Sequence, residues 1–220
     1  MIASGMISDG ILALKTSDTG KTALGWMEDY KVSHLPIVNN EELLGLISEM
    51  DIYNLNDFDE PLGNHNLSLT KPYVNEHQHI YDVLQLVYEE KLTLVPVLDD
   101  KNRYIGVITL QSLLSAFAQA LSVNNPGGII VLEMSYKDYS LTEIANIVES
   151  NDAKIISTFI FTHPQSVKMD VYLKINRTEI DSIIKTFTRY DYFIKAVFTE
   201  NSESENLKER YESFIKYLNV

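Results

Sequence analysis

The chain has 220 residues, of which 45% are hydrophobic and 22% charged, as in globular proteins that bury a sizeable core in one or two domains. A formal net charge of −13 argues against a broad basic face for nucleic acid and against binding to anionic membranes. The absence of cysteine excludes disulfides, a thiol nucleophile and cysteine-ligated metal sites. The sequence has neither a signal-peptide pattern nor an apolar run near the ~18 residues of a membrane span, so we expect a cytoplasmic protein.

The first 56 residues contain one structural unit. Its pattern predicts an apolar lead-in (11–14), an N-capped helix (16–30), a strand (33–38), a hairpin turn (39–42), a second strand (43–47), and a short helix capped by Ser48 (48–53).

This unit occurs twice, and the two copies are in register. The offset is 60 residues at Pro36/Pro96 and 61 at Gly45/Gly106, so the second turn contains one inserted residue. A polar linker is predicted over 54–72, and the second copy then repeats the helix, the two strands and the final helix. Those ranges are 80–88, 92–98, 104–108 and 110–121, and a cluster of breakers at 123–128 marks a domain boundary.

The remaining residues have a different element order. Strands are predicted near 128–134, 154–161, 167–175 and 192–198, with helices that begin at a capping box at Ser140–Glu143 and at a box-like cap at Asn176–Glu179. The order βαββαβ is typical of a ferredoxin-like domain. Acidic residues 199–206 and a terminal amphipathic helix follow.

The repeated unit resembles a tandem pair of CBS domains, a Bateman module, over about residues 1–120. The first copy carries Gly45-x-x-Ser48-x-x-Asp51, which matches the Gly-h-h-Ser/Thr-x-x-Asp pattern of that family. The βαββαβ region resembles an ACT-type domain. The expected fold class is therefore α/β (α+β), with two packed CBS repeats followed by a ferredoxin-like, ACT-like domain. The expected domains are CBS 1 at 1–56, linker and CBS 2 at 57–122, the ACT-like domain at 128–198, and an acidic linker with a C-terminal helix at 199–220.

The first-repeat motif suits a nucleotide. Gly45 lets the backbone approach a ligand closely, and Ser48 stands at a helix N-terminus that favours phosphate. Asp51 lies about one turn further on the same face, where its carboxylate can accept both ribose hydroxyls. The family resemblance implies that Ser48 contacts phosphate or ribose and Asp51 the ribose.

The same resemblance implies further contacts to the ligand. Ala13, Leu14, His34 and Pro36 would frame the base, and Thr109 would serve the equivalent site of the second repeat. The family's ligands are AMP, ADP, ATP, S-adenosylmethionine and related compounds.

The second repeat departs from this pattern. Ser112 stands where the ribose-binding Asp is expected, and a hydroxyl cannot replace a bidentate carboxylate. We therefore expect one competent site or two unequal ones. Lys15 and Arg103 are the only basic residues near Ser48 and Thr109 by sequence, which argues against polyphosphate binding.

Other polar clusters carry weaker signals. The loop Ser135–Tyr139 has Asp138 but lacks the Pro-Gly of amino-acid-binding ACT loops, which favours a pairing or docking role. His77-Gln78-His79 has no third metal ligand nearby in sequence and indicates a solvated loop. Residues 54–60 lack the glycine and the ligand spacing of a calcium loop.

No nucleophile–base pair, P-loop or metalloprotease motif is present, so we expect no enzyme activity. The sequence favours a non-catalytic regulatory module. An adenine nucleotide would bind between the CBS repeats, and the ACT-like domain or a protein partner would receive the signal. The alternative is a structural or dimerisation protein with a vestigial nucleotide site. In either case the resemblance implies a homodimer, with no nucleic acid or membrane as partner.

Overall fold

The computed structural model describes residues 1–67, 69–164 and 166–199. Most of the predicted acidic linker and the predicted C-terminal helix lie outside these residues. The chain divides into two compact units, Met1–Phe117 and Ala118–Val220.

The N-terminal unit holds both copies of the repeat. A 3-10 helix at Ala3–Met6 precedes the first copy and another at Leu62–Asn64 lies between the copies. The first copy contains α1 (Gly20–Tyr30), β1 (His34–Asn39), β2 (Glu42–Ser48) and α2 (Glu49–Tyr53). The second contains β3 (Val74–Asn75), α3 (Ile80–Glu90), β4 (Leu94–Leu98), β5 (Tyr104–Thr109) and α4 (Leu110–Ala120), of which α4 runs past the boundary between the units.

Local sequence explains where these elements begin and turn. Thr19 caps α1 by accepting the Thr22 N–H at 3.2 Å. The β1–β2 turn places Asn40 and Glu41 at positive φ, as hairpin turns that match strand twist require. The helix and hairpin of the first repeat therefore agree with the prediction.

The lead-in of a repeat is the segment that precedes its helix α1 or α3, residues 1–14 in the first repeat and 69–75 in the second, where it includes the end of the predicted linker. Each lead-in contacts both repeats. The β1–β2 hairpin is antiparallel, and Leu14 extends it by pairing in parallel with Ile37. At the other edge, the Leu46 N–H donates to Thr70 O at 2.9 Å, although Thr70 belongs to the lead-in of the second repeat.

The second hairpin, β4–β5, has the same arrangement. β3 pairs in parallel with β4, and the Ser8 N–H donates to Val107 O on β5 at 2.8 Å. The lead-in of either repeat therefore closes the sheet of the other. Buried side chains from both repeats, including Leu35, Ile47, Val95 and Ile108, form one hydrophobic core.

The C-terminal unit is a four-stranded antiparallel sheet with the strand order β7-β8-β6-β9. Its elements are β6 (Ile129–Ser135), α5 (Leu141–Glu149), β7 (Ile155–Thr162), β8 (Lys168–Ile175), α6 (Asp181–Arg189) and β9 (Phe193–Phe198). Ile144 of α5 and Phe187 of α6, both fully buried, share a core with Leu132 and Leu173 of the sheet. This is the ferredoxin-like βαββαβ fold that the sequence predicts.

The predicted caps in this unit need correction. Residues 176–179 do not cap α6, because its N-cap is Ile180, which makes no side-chain cap and is buried in the core. Asn176 instead accepts the Lys154 N–H at 2.7 Å. At α5 only half of the capping box forms, since the Glu143 carboxylate accepts the Tyr192 hydroxyl at 3.2 Å.

A buried carboxylate, Asp170, lies on β8. Asp170 is 2% exposed, and its Oδ2 lies 2.6 Å from Lys195 Nζ and 3.1 Å from His163 Nε2. Burial raises the pKa of Asp170, but the hydrogen bond and charge of Lys195, aided by His163, outweigh burial and leave it below its ordinary value. Asp170 therefore stabilises the fold above its unfolded pKa, and that contribution is lost as the pH falls through the folded pKa.

Candidate functional site

Ser48 and Asp51 form a reciprocal capping box at the start of α2. The Asp51 N–H donates to Ser48 Oγ at 3.1 Å. Asp51 Oδ2 in turn accepts the Ser48 N–H at 2.8 Å and the Ser48 hydroxyl at 2.6 Å. Asp51 is exposed, and no donor among the described residues contacts its Oδ1. A carboxylate held in one orientation thus presents one oxygen for external donors.

Gly45, the first residue of the motif, packs against a segment of the other repeat. A Cβ on Gly45 would lie 2.7 Å from Leu69 Cβ and 2.7 Å from Thr70 O, so only glycine fits there without a shift of the lead-in. Lys71 follows directly in the chain. Sequence reasoning missed this segment, and the close approach implied by Gly45 was the only signal that could have pointed to a neighbouring chain segment.

The residues predicted to frame the base occupy different environments. The Leu14 side chain is fully buried in the core, and its backbone pairs with β1 through Pro36 O at 2.8 Å and the Val38 N–H at 2.7 Å. Pro36 is also buried, whereas Ala13 and His34 are half-buried. Of these four predicted residues, Ala13 and His34 are therefore the two with side-chain surface available to a ligand.

His34 lies where the two repeats meet. Its Nδ1 is 3.0 Å from Thr93 Oγ1 and 3.4 Å from the Thr93 backbone nitrogen, which donates to it. Thr93 Oγ1 also accepts the Ser33 N–H at 3.0 Å. Burial lowers the pKa of His34, and the nearby negative charge of Asp51 opposes this shift without reversing it.

The second repeat satisfies its cap with hydroxyls. The Thr109 N–H lies within reach of Ser112 Oγ at 3.1 Å and Ser8 Oγ at 3.2 Å, and the two serine hydroxyls are 3.0 Å apart. The Ser112 N–H donates to Thr109 Oγ1 at 3.2 Å. The neutral hydroxyls of Ser8 and Ser112 thus accept the N–H that, at the matching position of the first repeat, one Asp51 carboxylate oxygen accepts.

Arg103, one of the two basic candidates, is already paired. Its Nη2 lies 2.6 Å from Asp99 Oδ2 and its Nη1 lies 3.8 Å from Glu41 Oε2. The hydrogen bond and charge of Asp99 raise the pKa of Arg103, which stays cationic within its own turn. A phosphate would compete with Asp99 and Glu41 for this guanidinium.

A group of potential metal ligands lies on the second repeat. His77 Nε2 is 3.4 Å from Asp100 Oδ2 and 4.0 Å from Glu76 Oε1, with His77 and Asp100 exposed to solvent. Glu76 precedes His77 in the chain, and the tertiary fold adds Asp100, which the sequence around His77 did not reveal. His79 has a different role, because it caps α3 in a reciprocal box with Asp82.

The CBS domain family model matches residues 5–56 and 66–119. These residues are two CBS domains. A similar curated protein is the inosine-5'-monophosphate dehydrogenase of Methanocaldococcus jannaschii, 30% identical over 115 residues that make up 51% of this chain and 23% of the dehydrogenase. The chain therefore matches less than a quarter of that enzyme's length.

Two solved structures are also similar to this CBS protein. A CBS domain pair/ACT domain protein from Thermotoga maritima is 24% identical with a TM-score of 0.49, over 55% of this chain and 99% of that chain. CBSX2 in complex with AMP is 21% identical with a TM-score of 0.47, over 54% and 96% of the two chains. None of the helices in the described part of the chain is long and apolar enough to span a membrane.

Proposed function

We propose that this CBS pair is a non-catalytic regulatory module that binds one adenine-containing nucleotide at the first repeat. Asp51 would accept the ribose hydroxyls, Ser48 would contact ribose or phosphate, and Ala13 and His34 would face the base. A ligand regulates such a module only through its different affinities for two arrangements of the protein.

The orientation of Asp51 carries this proposal. The capping box holds the carboxylate at the protein surface through Oδ2 and leaves Oδ1 for a diol. The second repeat has no carboxylate at this position, and its hydroxyls are bonded to one another. We therefore expect one nucleotide per chain.

Calorimetry and thermal shift with AMP, ATP and S-adenosylmethionine test the proposal. Ligand at a hundred times its dissociation constant should stabilise the protein by ~2.7 kcal/mol. Asp51→Ala should abolish this shift. The matched control is Asp82→Ala, which removes the equivalent carboxylate from the capping box of α3 and should leave binding intact.

Three results would contradict this proposal. The first is no shift with any of the three ligands, and the second is an equal loss of binding in the Asp51 and Asp82 variants. A larger effect of Ser112→Ala than of Asp51→Ala would also refute the assignment of the site to the first repeat.

A structural or dimerisation role with a vestigial site is the second candidate. The observation that favours it is that Ser48 and Asp51, like Thr109 and Ser112, already satisfy each other as helix caps. Sedimentation with and without AMP separates the candidates, because a purely structural dimer would form at the same affinity in both conditions.

For the C-terminal unit we propose an ACT-like domain that transmits the state of the CBS pair to a protein partner or a second subunit. Its ferredoxin-like strand order supports this assignment. Within its first loop, Ser135 Oγ donates to Asp138 Oδ2 at 2.7 Å, so the loop's carboxylate is engaged internally. Deletion of this unit should leave nucleotide affinity unchanged and abolish the partner's response.

A further inference from the structure

We propose that Thr93, a residue of the second repeat, fixes His34 of the first repeat as an Nε2–H donor for the bound nucleotide. Thr93 is then a positioning residue that makes the first-repeat site depend on the place of the second repeat. The inference rests on the proposed nucleotide site and adds the chemistry that couples the repeats.

The first step is the proton on the imidazole ring. A backbone N–H can only donate, so the contact from the Thr93 nitrogen requires His34 Nδ1 to be an acceptor. With Nδ1 an acceptor, the Thr93 hydroxyl at 3.0 Å is its second donor, while Thr93 Oγ1 itself accepts the Ser33 N–H. With Nδ1 unprotonated, the neutral ring carries its hydrogen on Nε2.

The second step is charge. A protonated ring would place an Nδ1–H against the Thr93 N–H, and burial of the ring also disfavours the cation. The charge of Asp51 acts in the opposite direction but leaves the pKa of His34 below its ordinary value. At neutral pH His34 thus offers one donor, which suits a ring nitrogen acceptor on a purine.

The third step is the link between the repeats. Ser33 and His34 lie at the start of β1, while Thr93 lies one residue before β4, at the matching position of the second repeat. All three contacts join one repeat to the other. A movement of the repeats that separates them removes both donors from Nδ1, and the ring is then no longer fixed as an Nε2–H donor. A base that accepts from Nε2 consequently binds the arrangement in which Thr93 and His34 are in contact more tightly than the separated one.

The experiment compares Thr93→Val, which removes the hydroxyl at nearly constant volume, with Thr93→Ser, which keeps it. AMP is the ligand, its affinity is measured by calorimetry, and the imidazole tautomer is read from ¹⁵N chemical shifts assigned with His34→Gln. Loss of one hydrogen bond of about 1 kcal/mol corresponds to about fivefold in affinity. We expect Thr93→Val to weaken AMP binding by about fivefold and to shift the ring toward the Nδ1–H tautomer, because only the longer backbone contact of 3.4 Å then holds Nδ1 as an acceptor. Thr93→Ser should resemble the wild type.

Three results overturn the inference. In the first, His34 carries its proton on Nδ1 in the wild-type protein. In the second, the valine and serine variants bind AMP equally and as tightly as the wild type. In the third, the wild type binds no adenine nucleotide, which also overturns the proposed function; the second result overturns only the role of Thr93. Thermal unfolding of each variant, followed by fluorescence, shows whether a weaker affinity reflects loss of the fold.

Discussion

Gly45→Ala tests the contact between the first repeat and the lead-in of the second. The new methyl group would lie 2.7 Å from both Leu69 Cβ and Thr70 O, distances at which the lead-in backbone has to move. That movement removes the hydrogen bond from the Leu46 N–H to Thr70 O. The same substitution therefore loosens the packing of this lead-in on β2.

The cost follows from these contacts. The lost backbone hydrogen bond is worth about 1 kcal/mol, and overpacking adds about 1–3 kcal/mol. The lower entropy of alanine in the unfolded chain offsets roughly 0.5–1 kcal/mol of this. We expect a net loss of about 2 kcal/mol. Gly25→Ala is the matched control, because Gly25 lies within α1 and a Cβ there would meet no atom within 4 Å, so alanine should stabilise the protein by about 0.5–1 kcal/mol.

Urea unfolding followed by tryptophan fluorescence measures both variants. Trp26 is the single tryptophan of the chain and packs against the core of the N-terminal unit, so its signal reports that unit. With an m-value of about 2 kcal/mol/M, the Gly45 variant should unfold at a urea concentration lower by about 1 M. A midpoint equal to that of the wild type, or above that of the Gly25 variant, would refute the proposed contact between the lead-in and the first repeat.

Three further outcomes follow from the same structure. Asp170→Ala should lower the free energy of unfolding by about 2 kcal/mol, because it removes the buried partner of Lys195. Glu149→Ala removes a solvent-exposed ion pair of similar length and should lower it by under about 1 kcal/mol; urea unfolding monitored by circular dichroism measures both. Burial lowers the pKa of His34, so in acid the unfolded chain binds more protons than the folded one, and the free energy of unfolding should fall as the pH drops below 6.5. Urea midpoints measured across pH should show this slope, and His34→Gln should flatten it. Gly127→Ala should cost about 3 kcal/mol or abolish the β-signal of the C-terminal unit, since its Cβ would lie 1.9 Å from Ile175 O at a φ of +155°.

The candidate site could be predicted where its signals are local. Ser48 and Asp51 are three residues apart, and a capping box depends only on that spacing and on the backbone of one turn. The same local logic failed at residues 176–179. There the burial of Ile180 decides where α6 begins, and the polar residues before it serve a neighbouring strand.

The sequence alone determined the repeat, the alternation of helices and strands, and the carboxylate that distinguishes the first repeat from the second. These features follow from periodicity and short-range spacing, which the chain displays directly. Only the tertiary structure decided which residues meet: Ser8 with Thr109, Leu69 with Gly45, and Thr93 with His34. Such contacts join segments that are far apart in the chain, and no periodic pattern records them. The asymmetry between the CBS repeats is therefore readable in the sequence, while the bonds by which one repeat completes the other are a property of the fold.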